Sequence, residues 1–159
     1  MKEISMELLE EKTRTLLKQR GVNLNDIADI VLNLQKPYQP HLTHEICLHS
    51  VEAVLKKREV AHAVLTGIAL DELAENKQLP EPLQSIVESD EGLYGIDEII
   101  PLSIVNLYGS IGFTNYGYLD KAKPGIIKEL DTKGEKVHTF LDDLVAGIAA
   151  AAASRIAHN

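Results

Sequence analysis

Two pairs of adjacent acidic residues stand out because each pair leads into one of the most apolar segments of the chain. Asp97 and Glu98 precede IIPLSIV, and Asp142 and Asp143 precede LVAGIAAAAA. Helices formed by segments as apolar as these pack in the centre of a protein. The acidic pairs that precede them therefore lie in or beside the core, where an unpaired charge is costly. A hard divalent cation such as Mg2+, which prefers oxygen ligands, would relieve the repulsion among the four acids. The pattern therefore predicts a metal site, with Mg2+ or another divalent cation as cofactor.

A purely structural explanation of the same residues stays open. Thr139 followed three residues later by Asp142 resembles a capping box, and acidic residues in a first turn favour the positive end of a helix. Pro101 is tolerated only within about the first turn, so it predicts a helix that begins near Asp97 or is kinked there. Neighbouring residues on a helix point about 100° apart, so a pair shares one ion only near a helix end. Both explanations thus predict that the pairs stand at helix starts.

The segment YLDKAKPG, which lies between the two pairs, adds groups suited to an anion. Asp120 would supply a further oxygen donor, and Lys121 and Lys123 are compact positive charges that would hold a phosphate group. His138 precedes the second pair and would transfer a proton or contact the phosphate, unless it serves only beside a helix cap. Read alone, the segment is equally a solvated charged turn ahead of Pro124.

Together these residues predict a metal-assisted phosphate site. The predicted catalytic residues are Asp97, Glu98, Asp142 and Asp143; the predicted metal ligands are the same four with Asp120; the predicted phosphate-binding residues are Lys121, Lys123 and His138. In such a site a cation polarises a phosphoryl oxygen and activates water, while lysine neutralises the developing charge.

Apolar residues recur at helical spacing along most of the chain, which predicts an all-α fold. We expect a single domain over residues 1–159, with about seven or eight helices and a central apolar pair. The segment from 95 to 125 is dense in apolar residues; its β-branched content alone would allow a buried strand, but its length favours a helix, broken near one of its glycines. The run Ala149–Ala153 permits close helix packing, either in the core or at the seam of a homo-oligomer.

Composition narrows the function classes. The 159 residues carry a formal net charge of −8, which opposes binding to nucleic acid. Cys47 is the only cysteine, so an internal disulfide is excluded and a reducing compartment fits. No window approaches the ~20 apolar residues of a membrane helix, and the N-terminus lacks the apolar stretch of a signal peptide. We expect a cytoplasmic protein with no transmembrane segment, able to act at the membrane periphery.

Three ordered motifs in residues 92–155 resemble those of the phosphatidylglycerophosphatase A family, in particular its relatives that lack membrane helices. The family has an Asp-Glu pair, a Leu-Asp-x-x-Lys-Pro segment followed by Ile, and an Asp-Asp-x-x-Ala-Gly segment. This chain matches them with IDEII, YLDKAKPGII and FLDDLVAGIAAA. The resemblance implies Mg2+-dependent hydrolysis of phosphatidylglycerophosphate to phosphatidylglycerol, a phosphomonoester substrate met at a membrane surface.

The sequence also departs from the family pattern. The family carries an arginine three residues before the aspartate that matches Asp120, and Gly117 stands there in this chain. The glycine-rich lead into the Asp-Asp pair is replaced by GEKVHTF. An arginine is a planar, bidentate phosphate clamp that glycine cannot replace. The alternative function is therefore a noncatalytic, regulatory protein that binds a metal or a phosphorylated ligand.

Overall fold

The computed structural model describes residues 3–132 and 134–158, which form one helical domain without a β-strand. The helices are α1 (Met6–Gln19), α2 (Leu24–Gln35), α3 (His44–Leu55), α4 (Arg58–Glu75), α5 (Leu83–Ser89), α6 (Ile96–Val105), α7 (Ser110–Ala122), α8 (Ile126–Asp131) and α9 (Leu141–Ala157). The predicted all-α fold is confirmed. These residues hold nine α-helices rather than seven or eight because the apolar segment breaks. A 3-10 turn (Asn106–Tyr108) and Gly109, at φ 91°, separate α6 from α7.

Helix α9 is the centre of the molecule. Every residue from Leu141 to Ser154 is buried, and the helix packs against α2, α3, α4, α6, α7 and α8. Its alanines and Gly147 let neighbouring backbones come close. A Cβ atom added at Gly147 would lie 3.2 Å from both Cβ and the carbonyl oxygen of Pro101 on α6. This close approach brings the first turn of α6 towards the start of α9.

The start of α9 is held by a side chain that is distant in sequence. The predicted capping box at Thr139 is wrong, because the Thr139 hydroxyl donates instead to the carbonyl oxygen of Val87 at the end of α5. The two carboxylate oxygens of Asp71, on α4, accept hydrogen bonds from the backbone N–H groups of Phe140 and Leu141, each at 2.9 Å. Asp71 thus performs the capping that Thr139 was expected to perform.

An ion pair fixes the segment that leads into α9. Arg20 contacts Glu75 through both terminal nitrogens, at 3.1 and 3.2 Å. The same guanidinium donates to the carbonyl oxygen of Val137 at 2.7 Å, and the Val137 N–H donates to Glu75 at 2.9 Å. The ends of α1 and α4 therefore set the position of residues 137–140.

Helix α6 begins at Ile96, directly after Gly95, one residue before the start expected from Pro101. Gly95 has a φ of 73°, which lies in the left-handed region that glycine adopts without strain. Asp97 and Glu98 thus occupy the first turn of α6, as predicted. None of the described helices is long and apolar enough to cross a membrane.

Candidate active site

The first turn of α6, the last turn of α7 and the first turn of α9 meet on one side of the molecule. The carboxyl group of Asp143 on α9 is hydrogen-bonded to Asp97 on α6 and to Asp120 on α7. Glu98 lies close enough to Asp120 and Lys123 for their charges to act on its pKa. The structure therefore brings both acidic pairs together with Asp120.

The two aspartates of α9 are the most deeply placed members of this cluster. Asp142 is 3% exposed and Asp143 is 5% exposed. Burial raises the pKa of Asp143 to about 11, and the neighbouring charge of Asp142 adds to this effect. A carboxyl group with such a pKa keeps its proton at neutral pH, which explains how Asp143 donates a hydrogen bond to another acid.

Asp142 differs from Asp143 because it has a basic partner. Burial raises its pKa to about 7, while the positive charge of Lys123 opposes the rise. The Nζ atom of Lys123 lies 3.4 Å from Oδ2 of Asp142 and 3.5 Å from Oδ1 of Asp131. The Oδ1 atom of Asp142 also accepts the N–H of Asp143 at 2.9 Å. These contacts hold the Asp142 carboxylate in one orientation.

Lys123 reaches this position through an unusual backbone conformation. It ends α7 in the left-handed region, with a φ of 46°, and its N–H donates to the carbonyl oxygen of Leu119 at 2.8 Å. A residue other than glycine pays about 1 kcal/mol or more for this conformation. The contact between its ammonium group and a buried carboxylate offsets that cost.

The other two predicted phosphate-binding residues lie further away. Lys121 is exposed on the last turn of α7. Nδ1 of His138 lies 2.9 Å from the carbonyl oxygen of Leu130, so Nδ1 carries a proton and donates it. Nε2 of His138 is buried and has no hydrogen-bond partner in residues 3–132 and 134–158. Burial lowers the pKa of this imidazole.

His138 belongs to a cleft of about 280 Å³ beside the acidic cluster. The cleft is lined by charged residues of both signs, among them Glu75, Lys77, Glu88, Asp90, Asp131 and Lys136. Asp90 and Asp131 also act on the pKa of Asp142, which shows that the cleft adjoins the cluster. The phosphate-binding roles of Lys121 and His138 stay predictions, whereas Lys123 stands among the acids.

Tyr116 is a member of the cluster that the sequence analysis did not select. It is 5% exposed, and its hydroxyl group has no hydrogen-bond partner within the described part of the chain. Burial raises the pKa of this phenol, and so do the charges of Asp143, Asp120, Glu98 and Asp142. Tyr116 precedes Asp120 by four residues, so helical spacing alone places the two on one face of α7. Asp71 was also missed, because ALDELAE reads as an ordinary solvated helix face.

The chemistry of these donors fits a hard divalent cation. Asp97, Asp120 and Asp143 offer carboxylate oxygens, and the Tyr116 hydroxyl, which has no hydrogen-bond partner among the described residues, lies close enough for their charges to act on its pKa. No three His, Cys, Asp or Glu side chains within residues 3–132 and 134–158 are arranged so that they could hold a metal ion. Holding a cation would therefore require the carboxylates to rotate and Asp143 to release its proton.

Comparison with known proteins identifies the family of this chain. Residues 21–158 match the sequence model described as phosphatidylglycerophosphatase A. The chain belongs to this family. The match extends well beyond the motifs in 92–155 and includes α2 to α5, so Asp71 and Glu75 lie within the family region as well.

Relatives of similar length share the fold. The chain is 64% identical to the uncharacterized protein YpjQ of Bacillus subtilis over 158 residues, which cover 99% of this chain and 89% of the relative. The crystal structure of YpjQ has a TM-score of 0.94 at 64% identity, covering 98% of this chain and 96% of that one. The crystal structure of the low temperature requirement C protein from Listeria monocytogenes has a TM-score of 0.92 at 62% identity, covering 94% and 95% of the two chains.

Proposed function

We propose that this phosphatidylglycerophosphatase A family member is a phosphomonoester hydrolase whose substrate is phosphatidylglycerophosphate. Water would attack phosphorus, the bond from phosphorus to the ester oxygen would break, and phosphatidylglycerol and inorganic phosphate would leave. The observation that carries the proposal is the convergence of both acidic pairs, Asp120 and Lys123 at one partly buried place.

The proposal includes Mg2+ as cofactor, with Asp97, Asp120, Asp142 and Asp143 as its ligands and Glu98 beside them. When bound, the ion would supply charge stabilisation to a phosphoryl oxygen and lower the pKa of the attacking water. The acidic cluster supports this choice because it holds five acidic side chains and one lysine, and a bound cation would favour the ionised form of those acids. A phosphate group would be repelled by the cluster unless positive charge were added.

Residues of this chain supply the remaining functions. Lys123 would balance negative charge on the phosphate while it orients Asp142. The buried Tyr116 hydroxyl has no hydrogen-bond partner among the described residues, so it would donate to a phosphate oxygen that reaches the cluster. Glu98 is exposed at the edge of the cluster, and burial together with the charge of Asp120 raises its pKa, which suits a group that accepts the proton of water.

The direct test measures phosphate release from phosphatidylglycerophosphate in detergent micelles, with Mg2+ and with a chelator. Asp142→Asn is expected to lower kcat at least about 100-fold, because it removes a charge that acts on the reacting group. Tyr116→Phe is expected to lower kcat by about 10- to 100-fold, as loss of one donor to the transition state does. Tyr118→Phe, which alters an exposed phenol on the same helix, is the matched control and should leave kcat within about twofold.

The second candidate function is a noncatalytic regulatory protein that binds a metal or a phosphorylated ligand. Gly117 favours it, since this chain lacks the arginine that the family resemblance predicts at that position. If Mg2+ raises the melting temperature while no phosphomonoester is hydrolysed, this second function replaces the first.

A further inference from the structure

A groove of about 520 Å³ lies between the end of α2 and the first turns of α7, beside the last residue of α9. The groove is remote from the acidic cluster. Ala157, which lines it, follows Asp143 by fourteen positions on α9, which is about 21 Å along the helix axis. The groove therefore belongs neither to the candidate active site nor to the cleft beside it.

Gln35 distinguishes this groove from an ordinary surface depression. It is only 4% exposed, and it lines the groove. Its side-chain amide forms no hydrogen bond with any of the described residues, although the amide carries two N–H groups and an acceptor oxygen. A polar group that is buried without a partner destabilises a protein. A ligand with complementary groups would remove that cost.

Two further amides line the same groove. Nδ2 of Asn115, on α7, is buried and has no hydrogen-bond partner among the residues that the structure describes. Nε2 of Gln39 lies 3.4 Å from the carbonyl oxygen of Ile156, to which it donates. The carbonyl oxygen of Gln35 accepts the N–H groups of Tyr38 and Gln39, each at 3.0 Å, and this turn after α2 brings both side chains to the groove.

The groove also has an apolar part, and it carries no charge. Tyr38 is 80% exposed, and its ring is available to lie against a flat ligand. Ile111 contributes an apolar side chain from α7. None of the described residues that line the groove is charged, so it offers no ion-pair partner to a phosphate, a carboxylate or an ammonium group. The lining therefore selects a neutral ligand.

We propose that this groove binds a neutral nucleobase, such as the adenine ring of a nucleoside. Adenine presents an amino donor beside a ring-nitrogen acceptor, and a glutamine amide pairs with such an edge through two hydrogen bonds. Its flat face stacks on an aromatic side chain. Gln35 pairs with the edge, and Tyr38 covers the face. Binding at this groove does not depend on the proposed hydrolysis.

Charge distinguishes a nucleoside from a nucleotide or a nucleic-acid chain. The formal net charge of −8 repels phosphate groups, and the uncharged lining does not compensate for that repulsion. Adenosine is therefore expected to bind more tightly than adenosine monophosphate at low salt. Added salt screens the repulsion and should bring the two affinities closer together.

Calorimetric titration with adenosine tests the role of the buried amide. The unmodified protein is expected to bind with a Kd of about 1 mM or tighter. Gln35→Met keeps the length of the side chain and removes the amide, so it should weaken binding about tenfold or more while the protein stays folded. Gln19→Met, at an exposed position of α1, is the matched control and should bind as the unmodified protein does. No binding by the unmodified protein, or equal binding by both variants, would overturn the proposal.

A change in the ligand tests the same pair of hydrogen bonds. Purine riboside keeps the ring system of adenosine and lacks its amino group. It should bind the unmodified protein about tenfold more weakly than adenosine, whereas Gln35→Met should not distinguish the two compounds. Equal affinity of the unmodified protein for both compounds would contradict the pairing with Gln35.

Two further measurements establish where adenosine binds. Tyr38→Ala should weaken binding about tenfold through the loss of stacking, and Tyr118→Ala, which removes an exposed phenol outside the groove, should not. In the NMR spectrum, adenosine should shift the side-chain amide signal that is absent from Gln35→Met. Binding should be the same with Mg2+, with a chelator and in Asp142→Asn. Dependence on Mg2+ or on Asp142 would place adenosine at the acidic cluster and overturn the proposal.

Discussion

Gly117 is the residue at which this chain departs most clearly from the arginine pattern of its family. It lies on α7, one turn before Asp120, on the part of the helix that reaches the acidic cluster. A Cβ atom added at Gly117 would meet no heavy atom of the described residues within 4 Å, and the position is exposed. A side chain can therefore begin at this position without a clash at its first atom.

Replacing Gly117 by arginine should increase phosphatase activity. A guanidinium at this position would add a bidentate phosphate contact that the chain lacks. We expect Gly117→Arg to raise kcat/KM for phosphatidylglycerophosphate by about tenfold, the effect of ~1.4 kcal/mol of added transition-state binding. The rate of phosphate release from phosphatidylglycerophosphate in detergent micelles, compared between Gly117→Arg and the unmodified protein, measures this increase.

The matched control for that experiment is Gly117→Ala. Alanine stabilises a helix by about 0.5–1 kcal/mol relative to glycine, and arginine shares most of this gain, so both variants should melt at a higher temperature. Only the arginine variant should gain activity. Equal activity of the two variants would show that phosphate does not approach position 117.

At the residue scale, the sequence predicted the groups that stand in ordered motifs. Asp97, Asp120, Lys123, Asp142 and Asp143 were selected from three short segments, and the structure brings them together. Side chains outside the motifs could not be selected in the same way. Asp71 looks like a surface residue in the sequence, and only the packing of α4 against α9 makes its carboxylate a buried acceptor.

At the scale of elements, α9 depends on α4 for its first turn. The N-cap residue Phe140 has no side chain that could accept a hydrogen bond, and Asp71 accepts from two successive N–H groups instead. Gly67, one turn before Asp71, permits this approach, since a Cβ atom there would lie 2.6 Å from Cδ1 of Leu144. The carboxylate and the glycine together set where the two acids of α9 lie.

Removal of the Asp71 carboxylate should destabilise the fold and disturb the site. Asp71→Ala leaves two buried N–H groups without acceptors, which costs about 1–3 kcal/mol for each group. Asp71→Asn retains one of the two acceptor oxygens and should cost about half as much. Urea unfolding at pH 7 measures the difference. Equal stability of the two variants would show that water replaces the carboxylate.

The break between α6 and α7 shows that the spacing of apolar residues predicts a helix without predicting where it ends. Apolar residues run through 96–122 almost without interruption, so periodicity alone does not place a helix end. The structure turns at Asn106–Tyr108 and Gly109, and this reversal returns α7 alongside α6 so that Asp120 meets Glu98. The sequence identified a glycine as the place of the break, but the choice among Gly109, Gly112 and Gly117 depends on tertiary packing.

At the scale of the whole molecule, buried carboxyl groups link stability to pH. Burial raises the pKa of Asp71 to about 8 and that of Asp142 to about 7. An aspartate in the unfolded chain has a pKa of about 3.9, so the folded state binds protons more tightly than the unfolded state. The stabilisation from these protons is complete below about pH 4 and is lost as the pH rises through 7 to 8.

Stability without divalent cations is therefore expected to fall as the pH rises from 6 to 9. Between its unfolded pKa and its folded pKa, each such carboxyl group lowers the free energy of unfolding by about 1.4 kcal/mol per pH unit, and above the folded pKa its effect is constant. Mg2+ should reduce this fall, because a bound cation takes the place of the proton that Asp142 loses in this range and displaces the proton of Asp143. Urea unfolding at several pH values, with Mg2+ and with a chelator, measures both effects.

Asp71→Asn separates the two sources of this pH dependence. Asp71 contacts backbone N–H groups rather than the proposed cation, so its share of the fall should persist in Mg2+ and disappear in Asp71→Asn. The share that belongs to Asp142 should remain in Asp71→Asn and respond to Mg2+. A flat stability profile between pH 6 and 9 would contradict the raised pKa values. A fall that Mg2+ leaves unchanged would contradict the cation site while leaving the buried carboxyl groups as its cause.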